Sequence, residues 1–481
     1  MKTKLWILSA TICGLALQAC EKSFSDLNND PKNATEVPAN ALFLAGEKSL
    51  ADLYSSSNWT TSPFRVIAQV WTQTANINEA RYQFATNNAP TGWWTGLYTR
   101  VLSNLEEAKG KFKNDKVPDA VKLNKTLIAD VLQVYAYSLL VNTYGDIPYS
   151  ESLNRSIPFP KYDDAKTITD DLLRRLDLAI EKLDITAASF GPADQIFKGD
   201  VKKWKQFAAT LKLKLALLYA DKEPAKANTK ALEAIQTGLL TENASFTYVP
   251  GLVANSNPVW QDLVNGTYAT YYAPAAYFVH TLKAWNDPRL PILFSKDSNA
   301  DYSGAVAGLG GVNSNLSKFS NFWLSANAPA VLLSYAETHF LVAETIARGI
   351  PAAGTVEGHY EAAIRASILE FGGTAADADK YLQQAAVNYA SAAGNWKQKI
   401  GYQKWIAFAN RNWDSWTEIR RLGYPNIDVV SPPQQAESSF PKRFYYPPAE
   451  QNSNSIHWNE AVKKLNTGKD EVTATLFWND K

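Results

Sequence analysis

The sequence predicts a mainly α-helical (all-α) protein, in which stacked helix pairs form a scaffold for an irregular, loop-rich subregion. Three observations carry this. Apolar residues recur at spacings of three and four along several stretches, which is the period of one helix face. The 481 residues are 46% hydrophobic and 20% charged, enough to bury a large core and too apolar for disorder. Two stretches break the helical period: 241–330, rich in Asn, Gly, Ser, Pro and aromatic residues, and 425–457, rich in Pro. Long irregular segments inside a compact body usually carry function.

Along the chain, the first element is an address. Lys2 and Lys4 precede the apolar run Leu5–Leu17, which has signal-peptide length and is too short to span a bilayer. The run ends in Leu17-Gln18-Ala19-Cys20, the pattern of a bacterial lipobox. Residues 1–19 are therefore expected to be removed and Cys20 acylated. The alternative is an ordinary signal peptide cleaved nearby, with Cys20 incidental. Residues 20–38 read as the acylated cysteine and a flexible tether, and 39–481 as a single domain with its ligand-binding subregion at about 241–330.

Cys13 and Cys20 are the only cysteines, so the processed chain keeps none for a disulfide, a metal or a nucleophile. Several acyl chains, at about 0.8 kcal/mol per buried methylene, hold a protein to a membrane through lipid alone. Formal net charge is +1, and −1 once Lys2 and Lys4 are gone, which excludes a global basic surface for nucleic acid.

The mature helices follow. From Asn124, Leu127, Ile128, Val131, Leu132, Tyr135 and Leu139 share a face. From Thr167, expected as a cap, Ile168, Leu172, Leu176, Ile180 and Leu183 do the same. Val201, Trp204, Phe207, Ala208, Leu211, Leu215 and Leu218 line a third, with Lys202, Lys203, Lys205, Lys212 and Lys214 expected in solvent. A pair is predicted at Leu332–Arg348 and Gly358–Phe371. Its second member reads Gly358-His359-Tyr360-Glu361-Ala362-Ala363-Ile364, which resembles the second helix of a tetratricopeptide (TPR) repeat. There Gly fits the turn, Ala363 allows close approach and Tyr360 fills the gap between repeats.

Enzyme signatures are missing. The sequence has no His-Glu-x-x-His, no Gly-x-x-x-x-Gly-Lys and no Gly-x-Ser-x-Gly, and no Asp-x-Asp-x-Asp-Gly calcium loop. Its four histidines, His280, His339, His359 and His457, lack metal-ligand spacing and read as structural, so no metal or cofactor is expected, with a calcium ion among the Asn and Asp residues of the loops left open. Glu337 and Glu344, seven apart, share a helix face, and paired carboxylates can hydrolyse glycosides. Carboxylates among Ala336, Phe340 and Ala343 more often pair with arginines or helix ends.

The segment Asn142-Thr143-Tyr144-Gly145-Asp146-Ile147-Pro148-Tyr149-Ser150-Glu151 resembles one family, the SusD/RagB nutrient-binding outer-membrane lipoproteins. Further matches run in order: Asp26–Pro31, Trp93–Tyr98, Asp287–Pro291, Tyr335–Glu344, Gly358–Tyr360, Ile400–Trp405, Trp416–Pro425, Lys442–Pro447 and Glu450–Asn452. Together they cover nearly the whole mature chain. The resemblance implies an α-helical fold with TPR-like pairs, exposure on the surface of Bacteroidota-type bacteria, and partnership with a SusC-like TonB-dependent barrel transporter. It implies oligosaccharide ligands, or peptides in some members. An all-α glycoside hydrolase is the alternative from another class, and a TPR lipoprotein that binds only protein is a third.

The resemblance places ligand contacts in two segments rather than at fixed residues. The first holds Trp59, Trp71, Gln73, Asn76, Asn78, Arg81 and Tyr82; the second holds Trp260, Asp262, Asn265, Tyr268, Tyr271, Tyr272, Asn321 and Trp323. Flat aromatic faces suit the C–H edges of sugar rings, and polar neighbours suit their hydroxyls. If those rings form a platform, Trp71→Ala, Trp260→Ala and Trp323→Ala weaken binding at unchanged melting temperature. Trp405 and Trp416, in helical segments, are expected in the core.

Overall fold

Capping chemistry fixes where many of the helices begin. The computed structural model describes residues 37–311 and 314–479. The described residues from Ala39 onward form one compact unit. The expected signal peptide, the lipobox at Cys20, the tether up to residue 36 and the match at Asp26–Pro31 lie outside the described residues.

Helix α1 (Ala39–Ser55) packs against α2 (Ala89–Thr95), which continues through a π-helical stretch (Gly96–Leu102) into α3 (Ser103–Phe112). Gly96 permits this crossing, since a Cβ there would stand 2.7 Å from Leu53 Cδ2 of α1. Helix α4 (Asp119–Tyr144) is buried on all sides over its C-terminal half, as its near-continuous apolar sequence requires. It stops at Gly145, whose φ of 90° no other residue adopts cheaply, three residues before Pro148. Asp146 then accepts from Ala165 N at 2.9 Å, opening α5 (Ala165–Lys182). The cap of α5 is Asp164 rather than Thr167, because the carboxylate reaches the Thr167 N–H at 2.8 Å.

Asp200 caps α6 (Val201–Ala216), which pairs with α7 (Pro224–Thr237). Here the expectation for two lysines fails. Lys212 and Lys214 are 3% and 9% exposed, held by Asp177 and Glu233, and by Glu337 and Asp414, respectively. Within the irregular stretch the longest helix is α8 (Ala276–Ala284), beside shorter helical turns. The late pair is α9 (Tyr335–Ala347), capped by Ser334, and α10 (Val356–Glu370), capped by Thr355. Gly358 sits in the first turn of α10, where its N–H bonds the Thr355 hydroxyl, and not in the interhelix turn. Ala343, Tyr360 and Ala363 are buried together, as the TPR reading requires. Helices α11 (Ala375–Leu382), α12 (Trp396–Ala407), α13 (Asn412–Leu422) and α14 (Ser455–Lys464) complete the scaffold.

Strands are few and short among the described residues. β1 (Trp71–Gln73) pairs antiparallel with β5 (Tyr272–Pro274), β2 (Ile147–Pro148) with β3 (Tyr162–Asp163), and β4 (Ala244–Phe246) with β6 (Ala330–Leu333). Leu332 and Leu333 thus belong to a strand, and the late helix begins only after Ser334. The mainly helical fold agrees with the sequence expectation.

The Asn142–Asp146 segment is bolted to the C-terminal region. Trp478 Nε1 donates to Asn142, Trp413 Nε1 to Thr143, Arg443 to the Tyr144 carbonyl and Tyr446 to the Asp146 carbonyl, all within 2.7–3.0 Å. Segments remote in sequence meet here to build fold.

His339 and His359 also meet, Nδ1 to Nδ1 at 2.9 Å, and His359 Nε2 lies 2.9 Å from the Ala353 carbonyl. Their spacing of twenty residues hid the pair. Burial, then the neighbouring imidazole, pushes His339 down to about 4. Its contribution to stability is therefore complete above the ordinary histidine pKa of about 6.5 and is lost as pH falls toward the folded value. Thermal melting should shift down between pH 7 and pH 5, and His339→Gln should flatten that slope.

Candidate functional site

The β1–β5 ribbon brings the two expected ligand segments together, with Trp71 opposite Pro274 and Gln73 opposite Tyr272. Around it runs a continuous aromatic cluster. Tyr268 and Tyr271 pack on Trp59 at 4.5 and 5.5 Å, Tyr272 lies 5.6 Å from Trp71, and Trp71 meets Trp323 edge-on at 4.9 Å.

Convergence is not exposure, however. Trp59, Trp71, Tyr82, Tyr272 and Trp323 are all buried in core, so none offers a free face to a sugar ring. Most of these rings sit in the second hydrophobic core, between the ribbon, α8 and α12. This corrects the platform expectation for Trp71 and Trp323: both are structural, like Trp405 and Trp416. Trp260, Tyr268 and Tyr271 are half-buried and remain on the rim. Arg81 donates through Nε to the Gly308 carbonyl at 2.8 Å and so fastens a loop. Gln73 is buried and bonds Glu79, and Asp262 accepts from Ser57 at 2.8 Å. Asn76 and Asn265 are exposed, and Asn78 takes part in a tight turn through its carbonyl.

Next to Trp323 opens a cleft of about 530 Å³, within the range of ligand pockets. Five asparagines line it: Asn243, Asn257, Asn321, Asn327 and Asn410. Half-buried Phe322 supplies its aromatic surface, buried Tyr54 and Trp323 back the wall, and Arg65 and Glu370 are its charged residues. Each asparagine amide carries donors and acceptors, which matches the mixed demands of hydroxyl groups.

Arg65 is held rigidly. Its Nη1 donates to the Ser56 carbonyl at 2.7 Å and its Nη2 to the Ser55 carbonyl at 3.0 Å. With its amide oxygen facing the guanidinium, Asn412 accepts from Nε at 2.8 Å. Trp71 and Trp323 flank the cation at 4.8 and 5.7 Å. Burial lowers Arg65 to about 10, so it stays charged at neutral pH. Glu370 accepts from Asn410 Nδ2 at 3.2 Å, and burial raises its pKa. Two buried atoms of lining residues, Trp323 Nε1 and Asn410 Oδ1, have no partner within the protein: one donor and one acceptor. Such atoms are costly unless water or a ligand satisfies them.

Of these lining residues, the sequence reading included only Asn321 and Trp323. Tyr54, Arg65, Asn257, Phe322, Glu370 and Asn410 were missed. Asn257 and Phe322 lie in the 241–330 subregion, Phe322 between the two residues named; Arg65 carries a faint signal, as a cation inside the apolar run Phe64-Arg65-Val66-Ile67, and Tyr54, Glu370 and Asn410 come from separate elements with none.

The carboxylates weighed for catalysis are committed elsewhere. Glu337 pairs with Arg411 and Lys214, and Glu344 with Arg421 and Arg348. Both are fully buried, and their cations hold both below the usual carboxylate range against the opposing effect of burial. No group of three or more potential metal ligands occurs among the described residues.

A family model, SusD-like, described as starch-binding and associating with the outer membrane, matches residues 31–447. No curated protein matches the chain. Solved structures do. A SusD homolog from Bacteroides uniformis is 25% identical, with 92% of this chain and 99% of that one covered and a TM-score of 0.77. A SusD-like protein from Bacteroides thetaiotaomicron is 24% identical, with 92% and 99% covered and a TM-score of 0.75. A chitin-binding SusD homolog from Flavobacterium johnsoniae is 22% identical, with 91% and 98% covered and a TM-score of 0.77.

Proposed function

The chain belongs to the SusD-like family, and from that premise we propose that it is a non-catalytic glycan-binding protein of the bacterial cell surface. On this reading Cys20 carries the lipid anchor, and the bound oligosaccharide passes to a SusC-like TonB-dependent transporter in the outer membrane. No helix among the described residues is long and apolar enough to cross a membrane, which fits attachment through lipid.

The observation that carries the proposal is the cleft of about 530 Å³ lined by five asparagines beside Phe322. Amides beside aromatic surface suit a polyhydroxylated ring better than they suit an extended peptide, whose backbone asks for strand pairing. The fully paired state of Glu337 and Glu344 favours binding over hydrolysis.

Maltohexaose and chitohexaose are the first ligands to try, since the family is described as starch-binding and a similar structure is of a chitin-binding protein. Calorimetric titration should show binding of one of them, with no sugar released on long incubation. Asn321 is exposed and Phe322 half-buried, so both can be truncated safely. Asn321→Ala and Phe322→Ala should each weaken binding about 5- to 10-fold, one hydrogen bond or ring contact. Full affinity in both variants, at unchanged melting, would rule the cleft out.

A further inference from the structure

A second groove shares no lining residue with that cleft. It measures about 390 Å³ and runs between α8 and α12. Helix α12 presents Gln398, Lys399, Tyr402 and Gln403 to it, and α8 presents Tyr277, His280, Thr281 and Ala284, with Trp285 just beyond. The connection between α11 and α12 forms the facing wall from small residues, Ala386, Ala392 and Ala393. Gly394, at φ 85°, turns that connection into the Asn395 cap of α12.

Trp285, Tyr277 and Tyr402 are half-buried, unlike the core rings beneath them. Tyr277 stacks on buried Trp405 at 5.2 Å, and Trp285 leans on Tyr402 at 5.4 Å. Their inner faces complete the core, which is sufficient reason for their presence. It is not sufficient reason for leaving a row of three rings under a groove walled by alanines, where larger side chains would have covered them.

The polar groups are of two kinds. On the floor, Gln403 is spent, accepting from Arg289 and donating to Tyr381, and the Tyr360 hydroxyl bonds the Val387 carbonyl. Nearer the aromatic surface, the Tyr277 and Tyr402 hydroxyls bond each other at 2.9 Å. Whichever donates, the other keeps a proton to give. Lys399 spends one N–H on the Tyr389 carbonyl at 2.6 Å and retains two. The rings are tilted to one another, Trp285 by 57° to Tyr402; a pyranose ring laid with its C–H face on one of these half-buried rings can turn its hydroxyls to the phenol and ammonium donors.

We propose that this groove is a second glycan subsite, which takes a ring of the same polymer that enters the asparagine-lined cleft. The proposal rests on the glycan-binding reading above. Its consequence is avidity: one long chain engaging two sites is held far more tightly than a short one.

The test compares polymer with hexasaccharide on the mature protein. Soluble starch and glycol chitin are cast separately into native gels, and retardation gives the affinity for each. Trp285→Ala removes one ring of the row, and Ala393→Trp fills the groove from an exposed position without removing any packed group. Both should lower affinity for the retarding polymer about 10-fold or more, while binding of the matching hexasaccharide, the activity that Phe322→Ala weakens, persists. If Trp285→Ala unfolds, Ala393→Trp alone decides. Polymer affinity unchanged in folded Ala393→Trp overturns the second subsite and leaves the first reading standing. A wild-type protein that binds neither polymer nor either hexasaccharide overturns both.

Discussion

Arg411→Ala should destabilise the protein by about 3–5 kcal/mol, the usual cost of leaving a buried charge without its partner. Arg411 lies just before α13 and is 1% exposed. It pairs with Glu337 of α9 and Asp414 of α13, and donates to the Ser334 hydroxyl at 2.9 Å and the Leu332 carbonyl at 3.1 Å. Lys214 of α6 bridges the same two carboxylates, and the Tyr54 hydroxyl of α1 donates to Asp414. Two cations and two anions thus tie four helices together beside the cleft. Without the guanidinium, two carboxylates share one ammonium.

The pH dependence of the variant tests this mechanism. In the wild type, Arg411 and Lys214 hold Glu337 below its ordinary pKa, so its contribution is present above the unfolded value and fades as pH falls through the folded one. In Arg411→Ala the surplus carboxylate binds a proton more readily folded than unfolded, so the variant should regain stability as pH falls. Denaturant titrations at pH 7 and at about pH 5 should show the gap between the two proteins narrowing. A gap that stays constant would mean the loss comes from packing and not from charge.

This network shows what sequence can and cannot reveal. The seven-residue spacing of Glu337 and Glu344 put both on the buried face of α9, and the expectation of arginine partners was correct in kind. That Lys214 would join them was not legible. Its neighbours Lys202 and Lys205 are solvent-facing or nearly so, and only tertiary packing separates it from them. The helices were readable because period and caps are local. The TPR-like pair was readable because close approach demands small residues at fixed positions.

The site was less legible. The two segments named as ligand-binding do converge, because β1 and β5 pair. Yet composition cannot say which side of a ribbon faces solvent, and most of their aromatics turned inward. The cleft takes lining residues from seven separate stretches; 321–331 supplies nine of them and each other stretch only one or two. An isolated Asn or Arg carries no periodic signal, so the constellation exists only after folding.

Trp71→Ala should therefore behave as a core mutation, with a loss of about 3–5 kcal/mol. Trp71 is 0% exposed, and four groups press on its indole: Phe319 at 4.4 Å, Trp323 at 4.9 Å, Tyr272 at 5.6 Å and the Arg65 guanidinium at 4.8 Å. Removing it opens a cavity behind the wall of the asparagine-lined cleft, since Trp323 and Arg65 both rest on it and both line that cleft. Melting temperature and glycan affinity should fall together. Trp260→Ala provides the contrast, because that ring is only half-buried, on a short helical segment at the rim. Truncation there should cost less than about 1 kcal/mol and leave the cleft intact. Differential scanning calorimetry of both variants, with titration of whichever hexasaccharide the wild type binds, separates wall from rim. A Trp71→Ala protein that melts like the wild type would return the indole to the ligand face and reverse the assignment made from its burial.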